Sequence, residues 1–161
     1  MVRLEHINAE NVWDIIDLAV AESQKEFVAP NTISIIEAYT SIGTGCTAFP
    51  FAIFDDDTPV GFLMLGHNIA ALFGCPDIVK NSYLLWRLMI DEKHQKKGYG
   101  REATRLAIEF VKTFPCGPAE YLVTSYEPEN TVAQRLYQSF GFAETGDVDE
   151  EDGELIAAMK L

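Results

Sequence analysis

The sequence predicts one α/β (α+β) domain spanning residues 1–161, with elements in the order β-α-α-β-β-β-α-β-α-β-β. Two kinds of segment give that order. Short apolar runs of strand length are interspersed with stretches whose apolar residues recur at helical spacing, and clusters of Gly, Pro and Asp separate them. The length and composition support it: 161 residues, 48% apolar and 23% charged, suit one core, and no repeat or interdomain linker is visible.

Taken in order, Met1 to Ile7 reads as a first strand. Asn8 is placed to cap a helix from about Ala9 to Ala21, with Val12, Ile15, Ile16 and Ala19 on one face. Pro30 discourages helix through Ala29. A second helix, about Thr32 to Ser41, carries Ile33, Ile36 and Tyr39 before Gly43 and Gly45 end it. Thr47 to Phe54 and Val60 to Leu65 are strand-like, and Asp55 to Pro59 joins them as an acidic hairpin loop. Those aspartates lack the alternate spacing and later Glu of a calcium loop, so a solvated turn is expected. Gly66 to Asn81 reads as a loop with a helical turn, lining either a cleft or a subunit contact.

Tyr83 to Ile90 is a strand-length apolar run, and from Gly100 onward Ala103, Leu106, Ala107, Phe110 and Val111 mark a helix. Phe114 to Pro118 breaks the chain. Tyr121 to Ser125 is a strand, and a helix follows from about Thr131 to Phe140. Phe142 to Glu144 and Leu155 to Lys160 are closing strands. Between them Asp147, Asp149, Glu150, Glu151, Asp152 and Glu154, with Glu144 nearby, read as a solvated hairpin loop.

The segment Gln95-Lys96-Lys97-Gly98-Tyr99-Gly100 joins the central strand to its helix. The first amides of a helix lack intrahelical partners and carry partial positive charge. Glycines let backbone approach a ligand, so this is a phosphate cradle in type. Lys96, Lys97 and Arg101 add formal charge. Three patterns compete. A P-loop needs Gly-Lys-Ser/Thr, which is missing here. The dinucleotide fingerprint matches formally at Gly98, Gly100 and Ala103, but Asp91 to Lys97 intervene after the strand. The third pattern, Q/R-x-x-G-x-G/A a few residues beyond a strand, fits from Gln95 to Gly100.

That third pattern is the acyl-CoA signature of the GCN5-related N-acetyltransferase (GNAT) superfamily, which this sequence resembles. A second block, ENTVAQRLYQSFGF, is similar to the family's N-x-x-A-x-x-x-Y-x-x-x-G-F at Asn130, Ala133, Tyr137, Gly141 and Phe142. The resemblance covers residues 83–142 by motif and the rest by element order. It implies the GNAT fold: a mixed, mostly antiparallel sheet of six or seven strands flanked by about four helices, with two central strands splayed apart to admit acetyl-CoA.

Acetyl transfer to an amine needs the pyrophosphate held, the thioester carbonyl polarised, the amine neutral and the leaving thiolate protonated. The resemblance assigns the pyrophosphate to backbone from Gln95 to Arg101, thus Gln95, Lys96, Lys97, Gly98, Tyr99, Gly100 and Arg101. It assigns pantetheine to the backbone of Leu88, Met89 and Ile90, with the Leu88 amide as oxyanion donor. Asn130 and Ala133 fall on the cofactor side, and Tyr137 matches the acid that protonates the thiolate. The carry-over fails for the base: some histone-modifying relatives have Glu where this chain has Leu84. The chain then needs another base, or an ordered water relay to bulk solvent; Glu22, Glu26 and Glu37 are the candidates, because the first two helices flank the acceptor cleft in the family. Arg87, in an apolar strand, is expected to have a carboxylate partner.

QKEFVAPN, LWRLMID and HQKKGYG are similar to stretches of the bacterial spermine/spermidine acetyltransferases. The implied reaction is direct N-acetylation of a polyamine by acetyl-CoA. The alternatives are another amine (an aminoglycoside or a protein N-terminus) or a non-catalytic acyl-CoA sensor. The chain has 25 acidic against 12 basic residues, net −13, which suits a cationic amine and argues against nucleic acid or an anionic membrane. Cys46, Cys75 and Cys116 have neither disulfide nor metal spacing, and the N-terminus lacks signal-peptide features, so a cytoplasmic protein without metal is expected. The resemblance allows a homodimer, but no seam is legible.

Overall fold

The computed structural model describes residues 1–69, 76–149 and 152–161. Seven strands form one sheet in the order β1-β2-β3-β4-β5-β7-β6. They are β1 (Val2–His6), β2 (Thr47–Asp55), β3 (Thr58–His67), β4 (Tyr83–Ile90), β5 (Tyr121–Tyr126), β6 (Ala143–Val148) and β7 (Leu155–Lys160). Four α-helices lie among the described residues: α1 (Val12–Ile16), α2 (Asn31–Thr40), α3 (Tyr99–Val111) and α4 (Thr131–Gln138). The expected element order and GNAT-like architecture are therefore present.

All neighbouring strands are antiparallel except β4 and β5. That parallel pair joins only Tyr83–Leu122, Leu84–Val123 and Leu85–Thr124. Beyond Leu85 the strands separate, which is the splay the resemblance implied. On the other side of β4 the register against β3 slips between Met64 and Leu65, so Trp86 is the extra residue of a bulge.

The sheet is covered on both faces, so β3 is buried continuously from Val60 to Leu65. Leu63, Leu65, Tyr83 and Leu85 pack with Ala103, Ala107 and Val111 of α3. Phe62, Met64 and Met89 pack on the other face with Ile15, Ile35 and Ala38. Each fully buried Leu or Ile contributes about 1.5–3 kcal/mol of transfer free energy.

One helix expectation is corrected. The first helix is one short turn, Val12–Ile16, and not Ala9 to Ala21. Asn8 does cap, but its Oδ1 accepts from the Glu10 and Asn11 amides, one turn ahead of the helix. Past Ile16 the backbone is claimed by tertiary bonds: the Ala19 N–H donates to Asp91 Oδ1 at 3.1 Å and its carbonyl accepts from the Glu92 N–H at 2.9 Å. Asn31 Nδ2 donates to the Ile15 carbonyl at 2.8 Å, closing the helix end. The second helix stands where expected, but Ile33, Ile36 and Tyr39 are its exposed face, at 46, 57 and 75%. Its inner face is instead Asn31, Ser34, Ile35 and Ala38.

The segment Gly66 to Asn81 falls partly outside the described residues. Within it, β3 runs on to His67 and Asp77–Val79 forms a 3-10 turn; Cys75 lies outside. Asp55 is not simply solvated, since it accepts from Tyr99 Oη at 2.7 Å. Of the acidic run before β7, Glu150 and Glu151 lie outside the described residues. No helix among those described is long and apolar enough to cross a membrane.

Candidate active site

The loop after β4 and the start of α3 form the first part of the site. Lys96 and Gly98 adopt φ of 63° and 87°, and Gly98 is the residue before the first helical turn. The first intrahelical bond there is from Glu102 N–H to the Gly98 carbonyl. The amides of Tyr99, Gly100 and Arg101 therefore start the helix without intrahelical partners and point out of its end. A Cβ on Gly100 would meet only ordinary contacts, Ile90 at 3.7 Å and Leu136 at 3.9 Å. Packing within the chain does not require glycine there, and its lack of a side chain leaves the helix end open.

The second part is the edge of β4 that β5 vacates. The Asp91 N–H donates to Val60 of β3, and a Cβ on Gly61 would strike the Met89 carbonyl at 2.4 Å. The backbone groups of Asp91 and Met89 thus face β3. By strand alternation those of Leu88 and Ile90 face the opening. This corrects the expectation for Met89. Its amide belongs to the sheet, and its side chain is buried with Sδ 3.7 Å from Asn31 Nδ2. The Ile90 carbonyl accepts from Gln95 Nε2 at 3.0 Å, and the same nitrogen donates to Gln24 Oε1 at 2.7 Å. Gln95 therefore ties the loop to the strand end.

A groove of about 390 Å³ connects these parts, with Val28, Leu88, Ile90, Gly100, Ala133 and Tyr137 among its walls. Lys96, Tyr99 and Arg101 also border it. Arg101 is drawn toward α4, donating to Ser139 Oγ at 2.8 Å with its guanidinium 4.9 Å from the Phe140 ring centre. Lys97 is not brought to the groove; its Nζ donates to the Lys93 carbonyl at 3.1 Å. Asn130 caps α4, its Oδ1 accepting from the Ala133 N–H at 3.2 Å, which leaves its Nδ2 as the donor for a ligand.

Tyr137 stands where this groove meets a second space, of about 330 Å³, inside the splay. It is 6% exposed and packed between the rings of Tyr126 and Phe142. Burial pushes its phenol up to about 12, against a lowering hydrogen bond with Thr124; the charges of Glu154 and Tyr126 add to the rise. Tyr126 is likewise pushed up to about 12, by burial and by its 3.0 Å bond to Glu144.

The second space continues into a third, of about 250 Å³, bordered by Glu37, Trp86, Arg87, Ser125, Asp149 and Glu154. Arg87 finds the expected carboxylate: its guanidinium lies 3.3 Å from Glu37 Oε2, and it also donates to the Trp86 carbonyl. Glu26 borders the second space. Glu22 is not brought in; it pairs with Lys25 at 2.5 Å and its side chain is 87% exposed.

Sequence reasoning missed Glu127 and Glu154. Glu154 accepts a short hydrogen bond from Ser125 Oγ. Burial raises its carboxyl above the ordinary range; Glu127 and Asp152 add to the rise, while Ser125 and Arg87 oppose it. Glu127 Oε2 is buried without a partner, as is Arg87 Nε. The available signal was position: Glu154 immediately precedes β7, and Tyr126 pairs with Leu155, so the same register sets Glu127 beside Glu154. Among the described residues no group of three or more His, Cys, Asp or Glu is placed to hold a metal.

Residues 23–142 match the family model described as "Acetyltransferase (GNAT) family". The chain is 26% identical, over an alignment of 164 positions covering 99% of each protein, to a protein named spermine/spermidine N(1)-acetyltransferase in Bacillus subtilis (strain 168). Among solved structures, the aminoglycoside acetyltransferase AAC(6')-Ib in complex with coenzyme A matches with a TM-score of 0.75 at 16% identity, covering 99% of this chain and 95% of that one. The spermidine N-acetyltransferase of Vibrio cholerae in complex with CoA and spermine matches with a TM-score of 0.69 at 16% identity, covering 99% and 94%.

Proposed function

This chain belongs to the acetyltransferase (GNAT) family and is an acetyl-CoA-dependent N-acetyltransferase, and we propose that the amine it acetylates is a polyamine such as spermidine or spermine. One observation carries the choice. The space beyond Tyr137 is walled by carboxylates from three segments: Glu37 of α2, Glu127 after β5, and Asp152 and Glu154 of the loop before β7, with Glu26 at its edge. A flexible polycation offers several ammonium groups to such a wall, and charge pairs in a half-buried cleft are screened less than exposed ones. The named relative at 26% identity supports the same reading.

In this reading the unpartnered amides of Tyr99, Gly100 and Arg101 hold the pyrophosphate, with Lys96 and the Arg101 guanidinium supplying charge. The backbone of Leu88 and Ile90 receives pantetheine, and the Leu88 amide donates to the carbonyl oxygen as charge develops on it. Asn130 Nδ2 donates to the donor substrate, and Ala133 keeps the wall of the groove low. Tyr137 donates to the departing sulfur. Among the described residues the Cys46 thiol is turned to the Asn68 carbonyl and neither Cys46 nor Cys116 borders the grooves, which supports direct transfer.

An aminoglycoside is the second reading, favoured by the 0.75 match to an aminoglycoside acetyltransferase; it too is a polycation. Thiol release from acetyl-CoA, measured against spermidine, spermine, putrescine, kanamycin and a Lys-containing peptide, separates the two. Saturable release with spermidine or spermine, at a kcat/KM at least tenfold above kanamycin, is the expected outcome. The reverse order discards the polyamine.

A further inference from the structure

We propose that Glu154 is the proton acceptor for the attacking amine, and that the buried, unpartnered oxygen of Glu127 holds the ammonium beside it. The inference rests on amine acetylation at this site and names the base that the resemblance left without a residue.

Three observations place Glu154 there. It borders both the space that contains Tyr137 and the space beyond it, so it is a wall carboxylate shared by the two. Its carboxylate is held by the Ser125 hydroxyl at the end of β5, next to the point where the central strands part. It is half-buried, fixed at the start of β7, and unlike Glu37 it has no cation within ion-pair distance among the described residues. Glu127, one register position along, contributes an acceptor oxygen with no donor among the described residues. A buried acceptor left unpaired costs about 1–3 kcal/mol. An ammonium N–H arriving in the cleft supplies the missing donor.

The environment suits a base. The groups around Glu154 are Ser125 and Glu127 at the end of β5, Arg87 on β4, Asp152 on its own loop and Tyr137 on α4. Burial and the two neighbouring carboxylates raise its proton affinity, whereas Ser125 and Arg87 limit the rise. A carboxylate so raised is a stronger base than a solvated one.

The protons balance as follows. The amine arrives as R–NH3⁺ and gives one proton to Glu154. The neutral nitrogen forms the new C–N bond as the C–S bond breaks. Tyr137 gives its proton to sulfur, and the second proton lost by nitrogen restores the phenol. Glu154 releases its proton to solvent. Protonation of Glu154 also removes a negative charge that holds the Tyr137 proton in place, so the first transfer prepares the second.

The experiment compares wild type with Glu154→Gln in spermidine acetylation from pH 6 to 10. The expected result is a kcat lowered about 100-fold or more at pH 7, with the acetyl-CoA KM within about twofold. The deficit shrinks toward pH 10, because an amine of pKa about 10.4 then deprotonates unaided. A spermidine analogue with fluorines next to the reacting nitrogen arrives neutral and loses far less than spermidine does. Glu127→Gln raises the spermidine KM and leaves the acetyl-CoA KM in place. A merely structural Glu154 would move none of these selectively. Equal kcat for wild type and Glu154→Gln, or an equal deficit at every pH and for both amines, overturns the assignment. Should Glu154→Gln fail to fold, Ser125→Ala carries the same test, and an unchanged kcat overturns it. Wild type releasing thiol with an aminoglycoside only sinks the polyamine reading alone, and the variants are then judged on that amine. Release with no amine sinks both.

Discussion

Arg87 on β4 and Glu37 on α2 meet at 3.3 Å across the mouth of the acceptor space, both about three-quarters buried. The pair fastens the second helix to the strand whose other edge is open. It also sets one carboxylate of the acidic wall, since Glu37 can turn toward a substrate cation only by sharing Arg87.

The pair lies between a surface bridge, worth about 0–1 kcal/mol, and a buried one, whose disruption costs about 3–5 kcal/mol. Arg87→Ala is expected to lower unfolding free energy by about 1–2 kcal/mol, leaving Glu37 half-buried and unpaired. Adding Glu37→Ala should return part of that loss. Urea denaturation of both single variants and the double variant checks this; strictly additive losses would show that the two side chains do not interact.

The turn into α3 sets two glycines in different roles. Gly98 holds φ of 87° with open space around it, so Gly98→Ala strains the backbone by about 1–2 kcal/mol. Gly100→Ala meets no such strain and only ordinary contacts. It is expected to keep the melting temperature within about 2 °C and to raise the acetyl-CoA KM about tenfold or more, because its methyl stands where the ligand must approach the helix end. Equal KM values for wild type and Gly100→Ala would mean that the helix end does not carry the pyrophosphate.

The extent to which these features were legible in the sequence follows the range of the forces that fix them. The run from Tyr83 through Val111 was legible because strand, glycine turn and helix are each set by neighbouring residues. The length of α1 was not. Its end is decided by Asp91, which binds the Ala19 amide from 72 residues away. The spacing of Ile33, Ile36 and Tyr39 marked the second helix but did not tell which side packs inward: that stripe is exposed, and buried Asn31 and Ser34 take the inner side. Arg87 was legible as needing a carboxylate, since burial of an unpaired charge is costly. Glu154 was hidden among acidic neighbours, and only the β5–β7 register sets it in the cleft.

Tyr137 has its proton held by burial, with the phenol pushed up to about 12. It is therefore protonated throughout the working range and contributes no ionisation to the rate profile below about pH 11. Tyr137→Phe is expected to lower kcat about 10–100-fold, with CoA affinity by calorimetry within about twofold. A basic limb near pH 9 that vanishes in Tyr137→Phe would contradict the raised phenol.

Glu154 should also carry a stability signature opposite to that of a salt-bridged carboxylate. Burial raises its proton affinity in the folded state above the unfolded value. The folded protein then binds the proton more tightly, so the stabilising contribution is complete below the unfolded value, near pH 4.3 for Glu. It is lost as pH rises through the higher folded value. In its ionised form the carboxylate bears a desolvation cost and the repulsion of Glu127 and Asp152. A glutamine bears neither and can still accept from Ser125 Oγ. Glu154→Gln is therefore expected to melt higher than wild type at pH 7–8, with the gap closing as pH falls through the raised value. A gap that widens on acidification would mean that the folded state favours the charged form, as for a carboxylate held by Arg87, and Glu154 would then be a poor base. Melting curves of the two proteins from pH 4 to 8 decide between these, and they require no substrate.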